Sequence, residues 1–203
     1  MKEKFLFAKL FTQTASKEGE EVNYAKRILS EMEAVCELVN QKEVTQSAEL
    51  IIQANRVLVV GVGRVLISLK AWVKRLRHLG IDINYVGSET EAAVLKGDLL
   101  IVASSSGESI IPVKIAEKAK SLKVDVLYIG SNPDSSAGTL ADYSLRIPCK
   151  TKLGLPDEFH SFQPMSTLFE QVLYIMGDAL TYEIMDRMTF NEEEIKNNHA
   201  NLE

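Results

Sequence analysis

Apolar residues along the first third of the chain recur at three- and four-residue spacing. Over 22–39 they fall at Val22, Ala25, Ile28, Leu29, Met32, Val35, Cys36 and Val39. This is the stripe of an amphipathic helix, and Glu31, Glu33 and Glu37 lie mostly off it. Ala48, Leu50, Ile51 and Ile52 predict a second, short helix over 44–54. The pattern then changes. Short apolar runs at 56–60, 83–86, 99–103, 124–129 and 143–147 read as strands. Helical stretches separate them: 65–79 closed by Gly80, 110–122, and a short one starting at Asp134 or Ser135. Residues 87–96 read as a loop with some helical content, and 148–163 as an irregular loop. A long helix is expected from Met165 to about Met188, followed by a polar tail.

Strands alternating with helices imply right-handed crossovers and a parallel sheet covered on both faces. The expected fold is therefore α/β, a three-layer αβα sandwich of flavodoxin-like type. Its five-stranded parallel sheet has the order 2-1-3-4-5, and an α-helical hairpin precedes it. That order makes strands one and three neighbours at the topological switch point, where ligands bind beyond the strand C-termini. It brings the turn at 61–64 beside the turn at 104–108.

Those two turns hold the candidate chemistry. The apolar run 99–103 passes directly into Ser104-Ser105-Ser106-Gly107-Glu108-Ser109 and then into a helix. Backbone N–H groups, serine hydroxyls and a helix N-terminus then face one small volume, which suits a phosphate dianion. A serine-capped helix start fits the same residues. Gly61-Val62-Gly63 begins like a dinucleotide fingerprint, but position 66 is leucine and no clear acidic residue closes strand two. A tight strand-to-helix turn explains these glycines equally well. Arg64 sits where it can meet an anion or a developing enolate oxygen, or simply stand exposed at a helix start.

Glu170 stands among Leu168, Phe169, Val172 and Leu173. A carboxylate desolvated by such neighbours is a candidate base, and a plain surface glutamate is the alternative. His78 reads as a stabilising cation near a helix C-terminus. His160 falls in a loop and His199 in the tail.

Bulk properties narrow the class. With 203 residues the chain holds one or two domains, and 46% hydrophobic with 25% charged residues is ordinary for a soluble protein. A formal charge of −5 argues against a general nucleic-acid binder. Cys36 and Cys149 show no metal-ligand spacing with the histidines, and no apolar run is long enough for a membrane span. The opening MKEKFLFAKLF lacks the apolar region and cleavage site of a secretory leader, so a cytoplasmic protein is expected. No metal is expected, nor nucleic-acid or membrane partners.

Together these residues resemble the sugar isomerase (SIS) domain, and within it the 6-phospho-3-hexuloisomerase family. The resemblance runs over 22–203. It rests on Gly61-Val62-Gly63-Arg64, Arg75-Leu76-Arg77-His78-Leu79-Gly80, Gly97-Asp98-Leu99-Leu100 and the serine turn. Most specific are Gln163-Pro164-Met165-Ser166-Thr167-Leu168-Phe169-Glu170-Gln171 and the ending His199-Ala200-Asn201-Leu202-Glu203. The resemblance implies a single SIS domain over 20–203 behind an N-terminal extension, 1–19.

It also implies a cofactor-independent isomerase that interconverts 3-hexulose 6-phosphate and fructose 6-phosphate through an enediol. Glu170 would be the base, Arg64 the enediolate partner, and His199 an aid to proton movement. Gly61, Gly63, Ser104, Ser105, Ser106, Gly107 and Ser109 would hold the sugar phosphate. Homotetramers or dimers are implied, with the tail able to serve a neighbouring subunit.

Departures stand beside these matches. Val65-Leu66 replaces the family's Ser-Gly, Ser105 replaces a glycine and Ser109 a threonine; Ser88, Glu91 and Ala92 depart after strand two. They keep open a changed sugar phosphate, or a non-catalytic phosphosugar-binding protein.

Overall fold

The computed structural model describes residues 22–188, 190 and 192–202. The 1–19 extension lies outside them. In chain order the elements are α1 (Tyr24–Cys36), α2 (Gln41–Gln53), β1 (Val57–Val60), α3 (Gly63–His78), β2 (Ile83–Tyr85), β3 (Leu99–Ala103), α4 (Ile110–Ser121), β4 (Asp125–Gly130), α5 (Ser136–Leu140), β5 (Tyr143–Arg146), α6 (Thr167–Arg187) and α7 (Glu192–Asn197). The sheet has five strands in the order β2-β1-β3-β4-β5, and every pairing is parallel.

Strands β1 and β3 are buried at every residue, as the centre of a doubly covered parallel sheet requires. Alternation divides their side chains between two cores. Val57, Val59, Leu99 and Ile101 pack with α1, α2, α3 and α6; Leu58, Val60, Leu100 and Val102 pack with α4 and α5. The register pairs Val60 with Val102, so both strands end at one level and their following turns lie side by side.

Local chemistry sets the helix ends. Asn23 and Asn40 accept from the amides of Lys26 (3.0 Å) and Lys42 (3.1 Å). Those caps start α1 at Tyr24, inside the expected span, and α2 at Gln41, ahead of it. Gly63 at φ 57° starts α3 before the expected Val65 and takes Arg64 into its first turn. Met165 at φ 52° delays α6 to Thr167.

Two expectations need correction. Residues 87–96 contain no helix. The polar tail adds one, α7, which begins with Glu192, Glu193 and Glu194, charges that suit a helix N-terminus. Glu31 is not off the apolar face but 6% exposed.

Candidate functional site

A cleft of about 360 Å³ opens where β1 and β3 end, walled by the α3 start, the serine turn, the loop after β5 and the start of α6. At Gly61 an added Cβ would lie 2.9 Å from Val65 Cγ1, so the β1 turn needs a residue without a side chain there. Val65, 7% exposed, packs against this turn.

Arg64 and Glu170 meet at the junction of α3 and α6. Arg64 Nε donates to Glu170 Oε2, and the two form an ion pair. The Glu170 side chain is 12% exposed, that of Arg64 64%. Ser166 Oγ donates to Glu170 Oε1 at 3.1 Å, while Ser68 Oγ ties α3 to the Glu170 carbonyl at 2.9 Å. The apolar neighbours of Glu170 in sequence are therefore not what its carboxylate meets: Leu168, Phe169, Val172 and Leu173 face the core, and the carboxylate faces a guanidinium and a hydroxyl.

The serine turn is stitched from both sides. Ser104 Oγ accepts from the Gly107 amide at 3.1 Å and donates to Ser109 Oγ at 3.3 Å. Ser106 Oγ accepts from the Glu108 amide at 3.3 Å. Ser105 Oγ lies 3.5 Å from Ser131 Oγ at the end of β4, so its hydroxyl is met there by a second serine. Gly107 has φ 71°, and a Cβ on it would lie 1.8 Å from Ser135 Oγ. Burial pushes the Tyr128 phenol up to about 12, and it donates to the Ser104 carbonyl at 2.9 Å. Glu108 accepts from the Ser136 hydroxyl at 2.6 Å and the Ser136 amide at 2.9 Å, bonds that hold its carboxyl below the usual carboxylate range. No side chain caps α4; Pro112 carries no N–H and the Val113 amide donates to the Ser109 carbonyl at 3.1 Å, which leaves the amides of Ile110 and Ile111 without an intrahelical acceptor.

One buried carboxylate orders the approach to α6. Glu31 accepts from Ser161 Oγ (2.6 Å), the Phe162 amide (3.1 Å) and Gln163 Nε2 (3.2 Å). The Arg27 guanidinium stacks 4.1 Å over the Phe162 ring. After β5, Thr151 donates to the buried Glu158 and accepts from the Leu153 amide at 3.0 Å, which fixes the backbone carrying Lys152 into the cleft wall.

Of the expected residues, Gly63, Arg64, Ser104, Ser105, Ser106, Ser109 and Glu170 line this cleft, and Gly61 and Gly107 shape its two turns. His199 does not join them within this chain. Its ring lies 4.7 Å from that of His78. Fourteen residues of α3 separate His78 from Arg64, about 21 Å at the helical rise. Asn198 Nδ2 holds the tail there through the His78 carbonyl at 3.1 Å. His160 is exposed in its loop. Ser88, Glu91 and Ala92 are not among the cleft residues; Glu91 instead accepts from the Gly87 amide at 2.6 Å.

Sequence reasoning missed Glu31, Lys152 and Ser166. Ser166 stands one helical turn before Glu170, a spacing visible in the sequence, whereas Glu31 and Lys152 carry no local sign. Cys36 and Cys149 are free thiols, and burial pushes the Cys149 thiol up. Among the described residues no cluster of three His, Cys, Asp or Glu could hold a metal, and no helix is long and apolar enough to cross a membrane.

Residues 50–174 match the family model described as the SIS domain. The chain is 33% identical over 180 residues to a 3-hexulose-6-phosphate isomerase of Bacillus subtilis, covering 89% of this chain and 97% of that protein. It is 37% identical over 165 residues to one of Mycobacterium gastri, covering 81% and 82%. A crystal structure of a Methanococcus jannaschii protein, from which a 3-hexulose-6-phosphate isomerase function has been inferred, superposes with a TM-score of 0.72 at 26% identity, over 99% of this chain and 96% of that one.

Proposed function

The chain belongs to the SIS domain family, and from that premise we propose that it is a phosphosugar isomerase interconverting 3-hexulose 6-phosphate and fructose 6-phosphate. One observation carries this reading beyond the family resemblance. A carboxylate held by an arginine, Glu170 with Arg64, shares a single cleft with a hydroxyl- and amide-rich turn.

The reaction moves a carbonyl between C2 and C3 of the sugar. Glu170 takes the proton from the carbon beside the carbonyl and delivers one, after exchange with solvent, to the adjacent carbon, while the hydroxyl proton passes to the former carbonyl oxygen, with a 2,3-enediol between. Ser166 and Arg64 each hold one of its oxygens and so fix its aim. Arg64 uses only Nε on Glu170, and its terminal nitrogens make no bond among the described residues. They stabilise the enediolate oxygen as charge develops. The 104–109 turn takes the phosphate with its hydroxyls and the N–H groups opening α4. No step calls for a metal or an organic cofactor.

We read 20–203 as one SIS unit that acts as a homo-oligomer in the cytoplasm. Supporting the oligomer, a second cleft of about 370 Å³ on the far side of Arg64 is lined by Met32, Ile67, Tyr174 and Ile175, and the last three are well exposed. Supporting the compartment, both cysteines are free thiols. In such an assembly His199 serves a neighbouring subunit.

Thermal unfolding with fructose 6-phosphate and with fructose tests the phosphate claim. Stabilisation that grows with fructose 6-phosphate and is missing with fructose is expected. Equal shifts from both sugars would remove the phosphate site.

A further inference from the structure

We propose that Lys152 is the counter-cation for the substrate's phosphate, and that it sets the preference of the cleft for a phosphorylated sugar. The inference rests on the isomerase reading above. It starts from the charges. Among the residues lining the cleft, only Arg64, Glu170 and Lys152 carry one. Arg64 and Glu170 are bound to each other and cancel. A phosphate monoester carries nearly two negative charges at neutral pH. The serine turn meets it with neutral donors, so the remaining positive charge in the wall is that of Lys152.

Its neighbours are committed elsewhere. Lys150 Nζ donates to the Ser161 carbonyl at 3.3 Å. Arg146 pairs with Asp157 and donates to the Ser131 carbonyl. Lys152 has no ion pair or hydrogen bond among the described residues, and its side chain is exposed at the cleft wall. Lys152 lines the same cleft as Ser104, Ser105, Ser106 and Ser109, which sets its side chain within one cavity with the serine turn. The backbone beneath it is fixed by the buried pair Thr151 and Glu158, so the loop presents the lysine without first having to be ordered. A lysine suits this task. Its ammonium is a compact point charge on a flexible stem, able to close on a phosphate that the turn has positioned. Arg64 then remains free for the reacting end of the sugar.

The experiment is steady-state kinetics on fructose 6-phosphate for wild type, Lys152→Met, Lys152→Arg and the surface control Lys118→Met, at low and high salt. The expected result for Lys152→Met is a KM raised about tenfold with kcat held within about twofold, the mark of lost ground-state binding. Its KM also loses most of the wild type's salt dependence. Lys152→Arg stays near wild type, and Lys118→Met, with the same loss of charge, matches wild type. Thermal unfolding with inorganic phosphate is the second readout: stabilisation is reduced in Lys152→Met and kept in Lys152→Arg. A Lys152→Met enzyme with wild-type KM, salt dependence and phosphate response overturns the role of Lys152 and leaves the isomerase reading standing. A wild-type protein that neither turns over fructose 6-phosphate nor is stabilised by it overturns the isomerase reading, and the role of Lys152 with it.

Discussion

Arg64 Nε donates to Glu170 Oε2 from the first turn of one helix to the first turn of another. The β1 turn supplies the arginine and the 148–166 loop delivers the glutamate. Catalysis in this account depends on both segments holding their ends together, because the same guanidinium aims the base and meets the enediolate.

Replacement of Arg64 separates these duties from folding. Arg64→Ala is expected to lower kcat about 10²- to 10³-fold, the scale of losing one oxyanion donor. Arg64→Lys recovers only part, since an ammonium cannot hold Glu170 and an oxyanion in one plane. The Arg64 side chain is 64% exposed, so the melting temperature should stay near wild type. Steady-state kinetics and thermal unfolding of the two variants check this, and a fully active Arg64→Ala enzyme would contradict it.

At Gly107 the phosphate turn and the fold are one feature. Its φ of 71° and the 1.8 Å approach of an added Cβ to Ser135 Oγ leave no room for a side chain. Gly107→Ala is expected to destabilise the protein by about 2–4 kcal/mol through left-handed strain and overpacking. Chemical denaturation measures the loss, and an unchanged midpoint would argue that the turn is not built as described.

Glu31 is a positioning residue that touches no substrate. Three donors from 161–163 converge on its buried carboxylate. Glu31→Ala strands them and should cost about 2–3 kcal/mol. The 148–163 loop should then be cut faster by protease, with the cuts located by mass spectrometry. A variant cut no faster than wild type would show that the loop is held by something else.

Acid stability carries the mark of Glu108. Hydrogen bonds from Ser136 depress its folded-state pKa below that of the unfolded chain. The resulting stabilisation is complete above the unfolded carboxyl pKa and is lost as pH falls through the depressed value. The gap in melting temperature between wild type and Glu108→Gln should therefore narrow from about pH 6 to about pH 3, across the usual carboxylate range. A gap independent of pH would refute it.

Much of the fold is legible in the sequence because its signals are local. The apolar run Leu99–Ala103 followed by serines states a buried strand and its turn without help from elsewhere. The alternation of strands and helices then yields the order that sets the 61–64 and 104–109 turns side by side. What stays hidden depends on contacts across the chain. Glu31 looks like one more acidic residue beside the apolar stripe, because its partner Ser161 is 130 residues away. Arg64 and Glu170 are each visible as candidates, but their pairing spans 106 residues. Lys152 lies in a loop with no periodicity, and only the folded cleft singles it out. The place of the tail is hidden for the same reason: its histidine, His199, meets His78, 121 positions away at the far end of α3.

The most direct measurement is hydrogen exchange of fructose 6-phosphate in deuterated water, followed by NMR, with wild type and Glu170→Gln. A 2,3-enediol requires deuterium to enter at C3 of fructose 6-phosphate when the intermediate reverts, and at C2 of the hexulose product when it goes forward. Glu170→Gln should slow that exchange by at least about 10²-fold. Exchange at C1 would identify an aldose–ketose isomerase instead. No exchange by the wild type, or equal exchange by the variant, would contradict the assignment of Glu170 as the base of a hexulose phosphate isomerase.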